Sequence, residues 1–462
     1  MSGVSRIPRT LGLTDLVLLG TVAIVNVNTV PPVAGYGRAT LVLWIVAFAA
    51  FFVPEGIAVL ALSRRYPGEG GVYLWARRHF GDLHGFVSGW CYWTNNLFYV
   101  PVLLVYLAGV VAFAGGEHAA ALVANRWYVA TIAFGWLAVI TVANVRGMGV
   151  GKWINNAGGV GSAATVGLLV IAAAVARWQG VAATPPMVAG SALDMASGLS
   201  VMCFAFIGIE LASTMADEIR NPERDIPRAI LITGVIAIVS YLLVTDALLA
   251  LVPTGELGAI QGVMQAVSRG AQTAGAGWLV APIAVMMALA IGGATSAWFA
   301  GPARIPFMAG LDSALPAALG RVHPKWGSPH VALITCALLS AGLTALSLTG
   351  SSVAEAYQVL LRASVVINLV PFVYTFLALM TLDTARPFER AAGALGALVT
   401  AAGMVTAFLP GADVASVVIF ELKMVVGVGG PLAIGLWLYR RSRAQASSPP
   451  VCPGVDSPAP FV

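Results

Sequence analysis

Charge is what this chain has least of. Only 10% of its 462 residues are Asp, Glu, Lys or Arg, against roughly 25% in a soluble domain, while 59% are hydrophobic. So few ionic groups would leave a water-facing surface bare, which excludes an ordinary soluble fold and calls for lipid around most of the chain. Cysteine is scarce as well. Cys91, Cys203 and Cys336 lie far apart in apolar runs, Cys452 falls near the C-terminus, and no CxxC pair occurs. Neither a zinc site nor a disulfide framework is expected. The five histidines, His79, His84, His118, His323 and His330, avoid the centres of the apolar runs. HExxH, GxSxG and Walker motifs are missing, so no enzymatic activity, metal or cofactor is expected. The net charge of +5 is small and scattered, with no basic stripe among aromatics, which excludes nucleic acid as a partner. The N-terminus, MSGVSRIPRT, lacks a signal peptide's short apolar core and cleavage site, so the first helix is expected to act as its own insertion signal.

Long apolar runs are what the chain does have. A helix needs about 20 apolar residues to cross the hydrocarbon core. About twelve runs qualify, over 12–36, 39–63, 83–113, 127–146, 153–176, 195–216, 228–252, 276–304, 329–349, 354–380, 388–410 and 419–440. This predicts an all-α polytopic membrane protein, with a cytoplasmic N-terminus over 1–11, a transmembrane domain over 12–440 and a disordered cytoplasmic tail over 441–462, rich in Pro and Ser. Orientation follows from the basic residues. With the N-terminus inside, only Arg38, Arg126, Arg177, Arg269, Arg362 and Lys423 of the 25 Lys and Arg fall outside the cytoplasmic segments. That asymmetry also accounts for the net charge. A multi-pass protein of the plasma or inner membrane is expected, monomer or homodimer.

Two helices are interrupted by their own sequence. Helix 1 contains VNVNTVPPVAGYG (Val25 to Gly37), and Pro31 and Pro32 have no N–H to continue the hydrogen-bond ladder. Helix 6 contains CFAFIGIE (Cys203 to Glu210), with Gly208 and an acid in an apolar run. Irregular backbone at membrane depth survives only where protein or a cavity lines it. Either break alone is as well explained by a packing kink. As a pair at corresponding places in two halves, they point to a transporter binding site.

Three ordered stretches carry a family resemblance: RRYPGEGGVYLWARRHFGDLHGF (Arg64 to Phe86), FAFIGIELASTMADEIRNPERDIPRAI (Phe204 to Ile230), and ARIPFMAGLDSALP (Ala303 to Pro316) followed by HPKWGSPHVAL (His323 to Leu333). They resemble permeases of the amino acid–polyamine–organocation superfamily. Helix 1 and the Pro54–Glu55 pair look nearest to its glutamate/GABA antiporter-like and polyamine or L-type branches. The resemblance implies a five-plus-five inverted-repeat core, two appended helices, and alternating access around a midplane site. It places the substrate's carboxylate and amino groups at the two breaks, with Ala23, Ile24, Val25 and Asn26 on one and Phe204, Ala205, Ile207 and Gly208 on the other. Tyr92 and Asn96 of helix 3 join these candidates. Phe204 matches a gating aromatic and Trp298 a pocket tryptophan. Many relatives carry a small-residue G-[ST]-G signature in helix 1; here Ile24, Val25 and Asn26 stand in its place, so the side-chain amides of Asn26 or Asn28 are expected to contribute instead.

Ionisable groups inside a membrane need a reason, since each costs about 2.5–3.5 kcal/mol on insertion scales. Glu55 is either a buried carboxyl bonded to a neighbouring helix or a proton site. Glu210 either caps freed amides or acts as a proton-sensitive latch. Asp246 is expected near the interface, and Glu421 and Lys423 in solvent. Where some proton-coupled relatives carry a helix 5 lysine, this chain has Ser162, and Thr295 and Ser296 of helix 8 offer hydroxyls for a small cation. Sodium coupling, proton coupling and exchange all stay open, with preference for the last two. Arg362, matched to a helix 10 position facing the substrate side chain, would favour neutral or acidic amino acids; otherwise it snorkels or pairs with an acid such as Asp246. A polyamine or cationic amino acid permease is the alternative within this class. A channel would need charge rings or a carbonyl filter, neither of which is seen. A non-transporting sensor of the same architecture stays open.

Overall fold

The computed structural model describes residues 9–68, 70–114, 118–188, 191–253, 262–273, 275–311, 314–349, 353–408 and 417–447. Among them, ten helices are long and apolar enough to cross a membrane, and two shorter apolar helices complete a set of twelve. In chain order these are α1 (Leu13–Ile24), α2 (Ala39–Arg65), α3 (Asp82–Ala114), α4 (Arg126–Val145), α5 (Met148–Trp178), α6 (Ala192–Ala205), α7 (Pro222–Leu251), α8 (Val280–Ala300), α9 (His330–Thr349), α10 (Val353–Thr381), α11 (Pro387–Ala407) and α12 (Val417–Ser447). The chain is a multi-pass, all-helical membrane protein. The two short members are α1 and α6, whose helical ladders stop part-way. Three boundaries extend past the sequence reading: α5 starts at Met148, α7 starts at Pro222, and α12 stays helical to Ser447, into the expected tail, while 448–462 and 1–8 lie outside the described residues.

The α1 break sits at Val25 and Asn26, whose ψ angles of 73° and 86° leave the helical region. The chain turns through Val27–Thr29 and restarts at Val30–Ala34. Pro31 lies in the first turn of that restart, where its missing N–H leaves no bond unmade, so the proline starts the second half rather than marking the break. In α6 the ladder stops after Ala205 and resumes at Leu211–Thr214. Proline acts differently in α2. Phe48–Phe52 form a π turn, with the Val53 N–H bonded to Phe48 O five residues back, immediately before Pro54 and Glu55. Such turns absorb a residue without ending the helix.

Small residues set the close helix contacts. A β-carbon at Gly158 of α5 would stand 2.6 Å from Gly293 Cα of α8, so this pair lets two scaffold helices touch backbone to backbone. α1 lies among α5, α7 and α8. α11 packs on α10 and α2, while α12 runs along α10 and α3, where the Trp90 Nε1–H donates to Pro431 O at 2.8 Å.

The end of the bundle that gathers most of the basic side chains is tied by connectors. The N–H groups of Thr10 and Leu11 both donate to Glu218 O, and the Arg220 N–H returns a bond to Leu11 O. Arg304, just beyond α8, forms a buried ion pair with Glu218 at 2.6 Å. Gly71, at φ +45°, starts the amphipathic helix Val72–Phe80 so close to the segment after α6 that a β-carbon would meet Ser213 Oγ at 2.6 Å. At the opposite end Arg177 pairs with Asp246 at 2.8 Å.

Candidate functional site

The two breaks meet. Gly208 adopts φ +146°, and a β-carbon there would lie 2.9 Å from Ile24 Cγ1 and 3.1 Å from Ala23 Cβ. The small residue that permits close approach here is therefore Gly208, in the break after α6, with Ile24 as its neighbour. Tyr241 of α7 pins the junction. Its hydroxyl lies within hydrogen-bonding distance of Ile24 O and 3.0 Å from Ala205 O, and it accepts the Asn26 N–H at 3.3 Å. One hydroxyl proton serves only one of the two carbonyls at a time. The Trp298 Nε1–H donates to Ala23 O at 3.1 Å, and Asn26 Nδ2 donates to the same oxygen at 2.7 Å.

An aromatic cluster and a polar stripe flank this junction. The Tyr99 ring stands edge-on to Phe204 (5.4 Å between centroids) and to Trp298 (5.9 Å). Tyr92, Asn95, Asn96 and Tyr99 follow helical spacing of three and four residues, so they share one face of α3. Asn96 Nδ2 donates to Tyr92 O, leaving its Oδ1 buried without a partner among the described residues. Asn28, Asn95 and Asn368 are buried with both amide atoms unpartnered among the described residues. Buried polar groups are normally satisfied, so such carboxamides are open to a ligand. The two helix 1 asparagines thus part ways: the Asn26 amide is consumed by its own helix, and Asn28 stays available.

Beside the α6 break lies an acidic pair. Glu210 Oε2 accepts the Gly208 N–H at 2.8 Å, and its Oε1 accepts the Tyr92 hydroxyl at 2.7 Å. Glu55 of α2 is fully buried against Glu210, with no donor bonded to its carboxyl among the described residues. Two carboxyls side by side in a low-dielectric interior repel strongly if both are ionised. Ala23, Ile24, Val25, Asn26, Asn28, Tyr92, Asn96, Phe204, Ala205, Ile207, Gly208 and Trp298 are all buried.

Other candidates stand apart. The Thr295 hydroxyl donates to Ile291 O of its own helix, and Ser296 Oγ accepts from Asn144 Nδ2 at 3.1 Å. Ser162 Oγ is buried without a partner among the described residues. No contact joins these three to the α1 carbonyls among the described residues. Arg362 is half-buried, stacks over Phe420 of α12 at 5.6 Å, and lies within electrostatic reach of Tyr36, as does Asp194. Asp246 is not its partner, because Asp246 is held by Arg177. Sequence reasoning missed Tyr241, Tyr99 and Asn95. A lone tyrosine in the apolar run of α7, and the helical spacing of Tyr92 to Tyr99, were the available signals.

Residues 11–429 match the profile of a family described as amino acid permease. An uncharacterized transporter of Legionella pneumophila is 27% identical over 91% of this chain and 94% of its own length. A probable agmatine/putrescine antiporter of Lactococcus lactis is 27% identical over 65% of this chain and 64% of its own. A branched-chain amino acid permease of Bacillus subtilis is 28% identical over 72% and 73%.

Proposed function

Because the chain belongs to the amino acid permease family, we propose that it carries neutral or acidic amino acids by alternating access around the α1 and α6 breaks, with the Glu55–Glu210 pair holding the coupled proton. The observation that carries this reading is the junction of the two breaks at Tyr241. Ile24 O also accepts the Asn26 N–H at 2.7 Å, so when the Tyr241 hydroxyl donates to Ile24 O it is Ala205 O that is the acceptor for a substrate ammonium. At the restart of α1 the Val30 N–H is bonded to Val27 O and Pro31 and Pro32 have none, so the buried Asn28 carboxamide, without a partner among the described residues, is the donor offered to a substrate carboxylate. Phe204 and Trp298, both against Tyr99, close over the substrate side chain. The basic end faces the cytoplasm on this reading.

The two acids have unequal surroundings. Glu210 receives two hydrogen bonds, which support an anion. Glu55 receives none among the described residues, so it is the natural holder of the proton. Protonating Glu210 as well would weaken its bond from the Gly208 N–H and loosen the α6 break, which links proton uptake to opening. Arg362, at the Asp194 end of the bundle, disfavours cationic substrates by charge repulsion.

The test is uptake into liposomes by wild type, Glu55→Gln and Glu210→Gln, with an amino acid panel and with or without a pH gradient. We expect the gradient to stimulate wild type several-fold and Glu55→Gln not at all, with exchange retained. Equal stimulation of wild type and Glu55→Gln would remove the proton assignment. The uncompensated carboxyls also favour a second reading, a cationic amino acid or polyamine permease. Strong competition by lysine or putrescine, unchanged in Arg362→Gln, would establish it. Binding with no uptake under any gradient would point to a sensor.

A further inference from the structure

At the basic end of the bundle, a cavity of about 250 Å³ opens between five segments that are distant in sequence. Thr10, Arg146, Glu218, Arg304 and Lys325 line it, together with backbone of 147–149 and 326–329. Its charge is unbalanced. Glu218 is spent on Arg304, whose guanidinium also donates to Ala300 O. Arg146 and Lys325 are exposed, and no acid pairs with either side chain among the described residues. The Thr10 Oγ1, on the same wall, is a buried oxygen without a hydrogen-bond partner among the described residues. The first turn of α5 adds to this. Gly147 precedes it at φ +102° with no side chain capping the helix, and Met148 and Gly149 line the cavity. Two cations with no acid partner among the described residues, an unsatisfied hydroxyl and uncapped amides converge on one open cavity, a donor set suited to a tetrahedral oxyanion.

We propose that this cavity binds a phosphate-bearing anion, either free phosphate or the phosphodiester of an anionic lipid. The site is separate from the α1/α6 junction. Its occupant would bridge the segment before α1, the α4–α5 turn and the connector before α9, and so brace this end of the bundle in this arrangement.

The experiment uses the purified full chain and reads thermal stability, independently of transport. In detergent, inorganic phosphate is titrated against chloride at equal ionic strength. In nanodiscs, phosphatidylcholine alone is compared with phosphatidylcholine containing phosphatidylglycerol. We expect saturating anion to raise Tm by about 2–4 °C, and the rise to vanish in Arg146→Gln/Lys325→Gln while persisting in Arg390→Gln, a basic residue outside the cavity. A rise with inorganic phosphate in detergent identifies a free-anion site. A rise confined to phosphatidylglycerol identifies a lipid-headgroup site. No rise in either arm, a rise kept by the double variant, or one lost equally in Arg390→Gln overturns the proposal.

Discussion

A β-carbon at Gly208 would collide with Ile24 Cγ1 at 2.9 Å in a backbone conformation, φ +146°, that L side chains rarely adopt. Both costs fall on one residue, and strained backbone of this kind is worth about 1–3 kcal/mol. Gly208→Ala should therefore cut transport at least about tenfold at equal membrane abundance, because a shift in either break moves the carbonyls that face the substrate. Wild-type uptake by that variant would mean that the breaks do not touch during transport. The neighbouring acids are distinguished by their partners rather than by their chemistry: Glu210 has the Gly208 N–H and Tyr92, and Glu55 has neither. Nothing in the residue types told these two glutamates apart.

Among the elements, α7 has a role beyond filling space. Tyr241 reaches the ends of both interrupted helices and stacks on Trp44 of α2, with ring centroids 4.0 Å apart. Removing the hydroxyl takes a donor from the buried Ala205 O at a cost of about 1–3 kcal/mol, while Ile24 O keeps the Asn26 N–H at 2.7 Å. Tyr241→Phe keeps the ring stack. We expect a Tm only a few degrees lower and a larger loss of transport, measured as uptake per folded protein. Parallel losses of Tm and uptake would reduce Tyr241 to packing. The broken helices themselves were legible in sequence because proline and glycine act locally on the backbone. The π turn before Pro54 was not, because whether a helix ends or widens at a proline depends on what packs around it.

For the whole molecule, the distribution of basic residues predicts orientation. With Cys452→Ser as background, Arg126→Cys should react with a membrane-impermeant maleimide on intact cells, and Arg390→Cys only after permeabilisation. The reverse pattern would invert the topology. The remaining native cysteines, Cys91, Cys203 and Cys336, are buried and should not contribute. The clamp at the basic end joins Thr10, Leu11 and Glu218 across some two hundred residues of chain, and Arg304 to the same acid. It holds together the ends of helices that the proposed alternating access would move apart.

Composition and hydropathy determined that this protein lives in a bilayer and where two of its helices are interrupted, and its ordered motifs carried the resemblance to the permease family. These are properties of short stretches, set by the transfer of apolar side chains, by proline's missing N–H and by glycine's freedom. The tertiary structure decided which polar groups meet. It set Glu55 beside Glu210, gave Ile24 its neighbour in Gly208, sent Arg362 to Phe420 and Asp246 to Arg177, and left Asn28 available while Asn26 was consumed. Each of those outcomes depends on the rotation and depth of one helix against another. A buried polar group takes whichever partner the packing brings within about 3 Å, and hydropathy carries no record of that choice.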